Sequence, residues 1–204
     1  MDKNLFVACC GADGSFAHEA TRRMLKDAAI LHFKDFQSVG RAVAGGFCPY
    51  GVLPVENTLV GPVPEVCDIL RRRHFRIARS TRVPVDLYLL GLPGARLDDI
   101  REIVSYPLAV DQCKGFLRAH PEIRAVRAEN TALAAKEVVA SNRRDRAAIA
   151  SRLCAKLYGL DILAGPIQDA VFNMTRFVCI EPKERLGTIE AATKHVDFRL
   201  QNHG

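Results

Sequence analysis

Short apolar runs alternate with amphipathic, helix-capped stretches along most of this chain, and this alternation limits its fold more than any other feature. The run at residues 5–10 is continuously apolar, as expected of a strand that is buried on both faces of a parallel sheet. A turn with two glycines follows, and Ser15 then caps a helix that is predicted to continue to about residue 26. Because similar units recur to residue 159, the sequence indicates an α/β fold.

The same patterns predict two lobes joined by two chain crossings. Pro84, near the start of the apolar run 83–90, suits a strand that enters a new lobe at its edge. We therefore assign residues 1–82 and 171–204 to a discontinuous first lobe and residues 83–170 to a second lobe, with the polar tail from 183 as a final helix or a loose terminus. The predicted strands are 5–10, 33–36, 51–55, 75–79, 83–90, 103–105, 124–126, 147–150 and the returning segment 167–180. The predicted helices are 15–26, 39–44, 64–72, 97–101, 108–120, 132–139 and 151–159.

Composition excludes several classes of protein. With 204 residues, 49% of them hydrophobic and 25% charged, the chain is long and apolar enough for a substantial core. The formal net charge of +6 permits an anionic partner, but the basic residues are scattered and their clusters at 71–73 and 143–146 end predicted helices. A nucleic-acid site on the basic stretch 131–160 is disfavoured, because 147–150 is predicted to be a strand. No apolar run is long enough to span a membrane.

Cysteine and histidine usage predicts neither disulfides nor a metal site. The seven cysteines are an odd number without CxxC spacing, which suits the reducing cytoplasm. None of the six histidines has the cysteine or carboxylate spacing of a metal ligand. We therefore expect a cytoplasmic protein without a bound metal.

Polar side chains follow several predicted strands, which is where open α/β sheets bind ligands. Each has a local alternative, since Ser and Asn are common helix caps and Glu-Asn-Thr is also a turn former. If four helix N-termini face one cleft, however, their combined positive potential suits a small polyanion. The candidates are Ser15, Glu56, Asn57, Thr58, Ser105, Asn130 and Thr131.

Thr175 and Arg176 are adjacent polar residues inside the apolar segment 171–180. Adjacent side chains of a strand point to opposite faces, so both can serve one ligand only where the strand passes through a cleft or a crossing. Arg suits a carboxylate, because its guanidinium is a planar, two-pronged donor. The alternative is an ordinary strand with one exposed Arg.

Several motifs occur in order along the chain: GADGSF at 11–16, GVLPVENT at 51–58 with Gly61, SYP at 105–107 with Gln112 and Cys113, NTA at 130–132, YGL at 158–160, and NMTRF at 173–177. Together they resemble the catalytic domain of prephenate dehydratase over roughly residues 5–182, and their order and spacing are far more specific than any single motif. The resemblance implies a fold of two α/β lobes like a type 2 periplasmic binding protein, with the active site in the cleft.

The resemblance also implies the reaction: prephenate, a dicarboxylate, loses water and carbon dioxide to give phenylpyruvate in phenylalanine biosynthesis, without a cofactor. Thr175 would assist departure of the ring hydroxyl as a hydrogen-bond donor, and Arg176 would hold a carboxylate. Glu56 would orient its neighbours, because a carboxylate repels a dianion. A homodimer or higher homo-oligomer is expected from the family alone. The remaining substrate-binding residues would be Ser15, Asn57, Thr58, Ser105, Asn130, Thr131 and Phe177.

The sequence departs from the family pattern at three positions that bear on substrate choice. Family members usually have Ser-His-Pro-Gln where this chain has Ser105, Tyr106, Pro107 and Leu108, and a His is common at Leu87. The family's usual C-terminal ACT domain, which binds phenylalanine, is not found in the 204 residues, so feedback through that route is not expected. Arogenate dehydratase, prephenate decarboxylase and a non-catalytic anion-binding module remain alternatives, although Thr175 argues against the decarboxylase.

Overall fold

The computed structural model describes residues 5–72 and 75–183, which form two β-sheets flanked by helices. The strands are β1 (Phe6–Cys10), β2 (Ala29–Phe33), β3 (Tyr50–Asn57), β4 (Gly61–Pro62), β5 (Phe75–Pro84), β6 (Tyr88–Gly91), β7 (Glu102–Ser105), β8 (Arg124–Arg127), β9 (Arg146–Ala150), β10 (Asp161–Ala164) and β11 (Met174–Pro182). The helices are α1 (Phe16–Met24), α2 (Phe36–Ala44), α3 (Pro64–Arg71), α4 (Pro107–Asp111), α5 (Lys114–Ala119), α6 (Thr131–Ser141) and α7 (Arg152–Tyr158), with one 3-10 turn at Leu97–Asp99.

The first sheet has the strand order β2-β1-β3-β11-β5, with β4 paired to β3. Its strands β2, β1 and β3 are parallel, whereas β11 runs antiparallel to both β3 and β5. The second sheet has the order β10-β6-β9-β7-β8, in which β7 is parallel to β8 and β9. Each sheet therefore combines parallel strands with antiparallel strands next to a crossing.

The chain passes from the first sheet to the second between Pro84 and Tyr88, and it returns between Ala164 and Met174. This arrangement confirms the predicted two-lobed α/β fold, like that of type 2 periplasmic binding proteins, with two crossings and a cleft between the lobes. The assignment of residues 1–82 and 171–204 to one lobe and 83–170 to the other stays a prediction.

Apolar packing joins the two lobes at the turn between β1 and α1. Ala12 packs in the second-lobe core with residues such as Ala132 and Ala150. Phe16 contacts clusters in both lobes, one around Val7 and one around Leu87. Burying an apolar side chain stabilises a fold by about 1.5–3 kcal/mol, so these contacts hold the turn against the opposite lobe.

Several predicted elements differ from the observed ones. The strand expected at 33–36 lies at Ala29–Phe33, because Asp35 begins α2 by accepting a hydrogen bond from the Ser38 backbone N–H (2.6 Å). The run 83–90 is divided, since Val83 and Pro84 still pair with β11 in the first sheet. The helix expected at 108–120 is two helices, and the strand β10 was not predicted. The predicted tail helix lies outside the described residues, apart from 183.

The lengths of the helices and the state of the cysteines add two further observations. Within residues 5–72 and 75–183, no helix has the length and apolar character that crossing a membrane requires. All seven cysteines are free thiols, and five of them are buried.

Candidate active site

A cavity of about 610 Å³ lies in the cleft, and side chains from both lobes line it. Its volume is within the range of small-molecule sites, about 300–1,000 Å³. The first lobe contributes residues of β1, β3 and β11 and the segment that follows β2, and the second contributes α4 and the turn before α6. The polar and charged lining residues are Cys10, Ser15, Lys34, Asp35, Asn57, Glu65, Tyr106, Gln112, Glu129, Asn130, Thr131 and Thr175.

Thr175 is held at this cavity by hydrogen bonds that join β3 to β11. The Asn57 side-chain N–H group donates to Thr175 Oγ1 at 2.9 Å and to Asn173 Oδ1 at 2.7 Å. Asn173 in turn donates to Gln112 Oε1 of the second lobe at 3.2 Å. Because Thr175 Oγ1 already accepts from Asn57, the hydroxyl hydrogen is available to a ligand in the cavity.

Strand register decides which side chains of β3 and β11 face the cavity. Thr175 lies opposite Asn57, and after a one-residue shift in the ladder Phe177 lies opposite Pro54. All four residues line the cavity. Arg176, between Thr175 and Phe177, therefore points to the other face of the sheet.

Five helices begin at the cavity wall. The residues that cap α1, α2, α3, α4 and α6 all line the cavity, so the unpaired N–H groups of five first turns are directed near it. The positive ends of these helix dipoles favour an anionic ligand. The capping residues are Ser15, Asp35, Val63, Tyr106 and Asn130.

The turn that positions Ser15 is fixed against the second lobe. Gly14 has φ +88°, and a Cβ atom there would lie 2.6 Å from Cys154 Sγ, so glycine is required by both backbone and space. Ser151 Oγ donates to the Gly14 carbonyl at 2.7 Å. Ser15 Oγ accepts from the His18 backbone N–H at 3.2 Å, which leaves its hydroxyl hydrogen free.

The charged groups at the cavity are mostly acidic. Among the described residues that line it, Lys34 is the only lysine or arginine, while Asp35, Glu65 and Glu129 are carboxylates. Burial, with the nearby charges of these three carboxylates, raises the pKa of the Cys10 thiol to about 11. Cys10 is therefore a protonated thiol at neutral pH rather than a nucleophilic thiolate.

Six predicted substrate residues line the cavity, and the other four do not. The six are Ser15, Asn57, Asn130, Thr131, Thr175 and Phe177. Ser105 is fully buried and its hydroxyl donates to the Ile149 carbonyl of β9 at 2.7 Å, so it stabilises the second sheet. Thr58 Oγ1 accepts from the Met174 backbone N–H at 3.0 Å and closes the end of the β3–β11 pair.

Glu56 and Arg176 are the remaining two, and both are exposed on the outer face of the first sheet. They are direct cross-strand neighbours, and Arg176 lies opposite Arg82 on its other side. This placement argues against the expectation that Arg176 holds a carboxylate beside Thr175, because the strand turns the two side chains to opposite faces. Neither residue is among those that line the cavity.

Sequence reasoning missed several residues of the site. Lys34 and Asp35 were placed inside a strand, although Asp is a favoured residue at the N-cap of a helix. Gln112 belonged to a recognised motif but was given no role. The three departures from the family pattern, Leu87, Tyr106 and Leu108, all line the cavity, so they do bear on its shape and polarity.

The structure also brings together three possible metal ligands that the sequence did not suggest. Asp13 Oδ1 lies 3.1 Å from His18 Nδ1 and 2.9 Å from His32 Nε2. Their separation along the sequence is irregular, because they come from a turn, a helix and a neighbouring strand. None of the three lines the 610 Å³ cavity.

Comparison with known proteins connects this site to one family. The sequence model of the family "Prephenate dehydratase" matches residues 7–185. Arogenate dehydratase/prephenate dehydratase 1 of Arabidopsis thaliana is 35% identical over 179 residues, which are 88% of this chain and 45% of that protein. The chain thus spans less than half the length of this curated relative.

Two solved structures are similar along most of the chain. A prephenate dehydratase from Arthrobacter aurescens, solved in complex with L-Phe, is 27% identical with a TM-score of 0.79 over 87% of this chain and 60% of the other. GqqA, described as a novel type of quorum quenching acylase, is 31% identical with a TM-score of 0.77 over 87% and 64% of the two chains. With a family match over residues 7–185 and relatives at this identity, the chain belongs to the prephenate dehydratase family.

Proposed function

We propose that this chain catalyses the conversion of prephenate to phenylpyruvate, with loss of water and carbon dioxide. The observation that carries the proposal is the Thr175 hydroxyl, which lies at the cavity with its oxygen held by Asn57 at 2.9 Å. The Thr175 residue is only 9% exposed to solvent. A ligand in the cavity can therefore accept a hydrogen bond from its hydroxyl with little competition from water.

The reaction requires one proton donor at the leaving oxygen. As the ring carboxylate leaves as carbon dioxide, its bonding electron pair enters the ring, and the carbon–hydroxyl bond opposite breaks. The departing hydroxide takes one proton and leaves as water, so one proton is consumed for each turnover. A Thr hydroxyl is a weak acid, so Thr175 acts by donating a hydrogen bond to the developing negative oxygen, and solvent supplies the net proton.

The remaining groups suit a substrate with two carboxylates and a ring. Lys34 offers the cation, and the first turns after Ser15 and Asn130 offer backbone N–H groups. Phe177 and Leu87 form apolar walls that fit the ring. In this proposal, the clamp for a carboxylate is Lys34 with the helix N-termini rather than Arg176.

A second candidate substrate is arogenate, which has an amino group where prephenate has a keto group. The three carboxylates at the cavity favour it, because an ammonium group near Asp35, Glu65 or Glu129 gains attraction that a keto group does not. Relatives are named for both activities. The two substrates share the same chemistry at the ring, so the role of Thr175 is common to both.

An acylase activity, suggested by the name of GqqA, has less support at this cavity. A nucleophilic mechanism needs a hydroxyl or thiol beside a general base. No histidine lines the 610 Å³ cavity within residues 5–72 and 75–183, and the Cys10 thiol has its pKa raised to about 11. The hydroxyl-bearing residues Ser15 and Thr175 therefore have no base of the usual kind beside them.

The proposed setting follows from the same features. Seven free thiols suit a reducing compartment, and we propose the cytoplasm. The partners proposed are a small dicarboxylate and a second copy of the chain, with neither nucleic acid nor membrane. Size-exclusion chromatography with light scattering tests the homodimer or higher oligomer.

A parallel assay of the purified chain with prephenate and arogenate tests the function directly. We expect phenylpyruvate from prephenate, phenylalanine from arogenate, and carbon dioxide from both, above a protein-free control. Thr175→Val, which keeps the side-chain shape without the hydroxyl, should lose the activity. Absence of product from both substrates, with the folded protein verified by circular dichroism, contradicts the proposal.

A further inference from the structure

Asp13, His18 and His32 form a compact cluster outside the cavity. Asp13 lies in the turn after β1, His18 in the first turns of α1, and His32 on β2, which pairs with β1 in the register Cys9–His32. Asp13 Oδ1 lies 3.1 Å from His18 Nδ1 and 2.9 Å from His32 Nε2. All three potential ligand atoms lie within 4.8 Å of one another.

The hydrogen bonds around His18 are in conflict. The Gly14 backbone N–H is directed at His18 Nδ1 (3.1 Å), and Arg22 Nε is directed at His18 Nε2 (3.4 Å), so both ring nitrogens face donors. A neutral imidazole has only one acceptor nitrogen and a protonated one has none. If Nδ1 accepts from Gly14, its lone pair also lies 3.1 Å from the Asp13 carboxylate oxygen, with no hydrogen between them.

We propose that Asp13, His18 and His32 bind one divalent transition-metal ion of the zinc class. Two imidazole nitrogens and a carboxylate oxygen are a common ligand set for such ions. Bonds of 2.0–2.1 Å in tetrahedral geometry separate ligand atoms by about 3.3 Å. The observed separations of 2.9 and 3.1 Å from Asp13 Oδ1 are close to this value, and the two histidine nitrogens lie within 4.8 Å of each other.

The surroundings leave room for the other ligands of the ion. Asp13 and His32 are exposed, so solvent can supply water ligands. His32 also lines a smaller cavity of about 300 Å³ together with Lys34 and Glu129.

Three features weaken the site. Arg22 contacts His18, and Lys136 adds positive charge near Asp13, whose pKa is lowered chiefly by the hydrogen bond from His32. Coordination at Nδ1 also replaces the hydrogen bond from Gly14. We therefore expect micromolar affinity, well below that of a four-ligand structural zinc site.

The metal would act on the turn between the lobes rather than on the reaction. Tyr158 of α7 donates to the Asp13 carbonyl, and Ser151 to the Gly14 carbonyl at 2.7 Å. An ion that joins Asp13 to His18 and His32 fixes the same turn that these second-lobe residues contact. The expected consequence is greater thermal stability in the presence of the metal.

Titration of chelator-treated protein with cobalt(II) tests the proposal, because cobalt reports its ligands by absorption. We expect one ion per chain with visible d–d bands. We also expect a rise of a few degrees, about 2–5 °C, in the melting midpoint at saturating zinc. Thiolate-to-cobalt bands in the near ultraviolet would assign the ion to one of the seven cysteines and overturn the proposal.

Variants distinguish this cluster from other sites. His32→Ala removes an exposed ligand with little effect on folding, and it should weaken cobalt binding at least tenfold, as should Asp13→Asn. The matched control is His120→Ala, since His120 Nδ1 also lies near a carboxylate, Glu122 at 3.4 Å, but belongs to no three-ligand group in the described chain. Unchanged binding in His32→Ala, equal loss in His120→Ala, or no binding to the wild type up to millimolar cobalt contradicts the site.

Discussion

Both faces of the β3–β11 strand pair carry polar side chains, but the two faces differ in what surrounds these side chains. On the inner face, Asn57 and Thr175 are hydrogen-bonded to each other and line the cavity. On the outer face, Glu56 and Arg176 are cross-strand neighbours exposed to solvent. A charged pair on a surface is worth about 0–1 kcal/mol, whereas a fixed donor in a water-poor cavity acts with much greater effect.

Strand register, rather than residue type, decides which side chains of the Thr-Arg-Phe motif line the cavity. Arg176 has the stronger chemistry for a dianion, and Thr175 is chemically modest. The alternation of the strand nevertheless gives the cavity to Thr175 and Phe177. Variants on the two faces test this division.

Removal of the Thr175 hydroxyl should give the largest effect. Thr175→Val should lower kcat by about 10²–10⁴-fold with little change in KM, because in the proposed mechanism the hydroxyl stabilises the charge that develops as the ring hydroxyl departs. Steady-state kinetics with prephenate and arogenate measures both constants. Thr175→Ser keeps the hydroxyl and should retain most of the activity.

The outcome contrary to this expectation is specific. If Thr175→Val and wild type have similar kcat values, Thr175 is only a wall of the cavity and the leaving group has another donor. A large increase in KM alone would make Thr175 a binding residue instead.

Reversal of the Asn57 hydrogen bond should give the next effect. Asn57→Asp replaces a donor with an acceptor of the same shape, so the Thr175 hydroxyl hydrogen turns toward the new carboxylate and away from the substrate. We expect kcat to fall by about 10–100-fold, as for misplacement of a reacting group. Loss of the bond to Asn173 should also lower the free energy of unfolding by about 1–3 kcal/mol.

Chemical denaturation and kinetics on the same sample separate these two effects. Asn173→Asp is a useful comparison, because Asn173 donates to Gln112 but does not contact Thr175 directly in the hydrogen-bond network. Similar kcat losses in both variants would attribute the Asn57 effect to general loosening of the crossing.

Much of the fold could be predicted from the sequence, because its apolar runs and caps act locally. Ser15, Ser151 and Gly159 begin or end helices where the pattern indicated, and Gly159 ends α7 with φ +65°. The divided run 83–90 could not be predicted in this way. Its residues are mostly apolar on both sides of the division, and β5 reaches Pro84 because Val83 pairs with Thr175 and Pro84 pairs with Met174.

The site was less predictable than the fold, because it depends on register across distant strands. Ser15 and Ser105 both follow a strand and precede a helix, yet Ser15 lines the cavity and Ser105 bonds to Ile149 inside the second sheet. Lys34 was hidden by a strand placed a few residues too late. No local pattern distinguishes these cases.

Substitution of Lys34 tests whether this lysine, rather than Arg176, is the cation that binds a substrate carboxylate. Lys34→Gln should raise KM about tenfold with a smaller change in kcat, because a lost ion pair at a partly hydrated site removes about 1–1.5 kcal/mol of ground-state binding. The matched control is Lys26→Gln, an exposed lysine that does not line the cavity. An unchanged KM in Lys34→Gln would leave the helix N-termini as the anion site.

Substitution of Arg176 should give the smallest effect. The result decides whether Arg176 binds the substrate, as the family resemblance implies, or lies on the outer face without a role in binding. Arg176→Ala removes a side chain from the exposed outer face, so we expect kcat and KM to stay within about threefold of wild type, and the free energy of unfolding to change by less than about 1 kcal/mol. Arg82 lies on β5 opposite Arg176, so Arg82→Ala provides the matched control on the same face. An increase in KM of tenfold or more in Arg176→Ala alone would mean that the strand rotates or the lobes move on substrate binding, since the cavity does not otherwise reach this guanidinium. In that case the division between the two faces holds only for the unliganded protein.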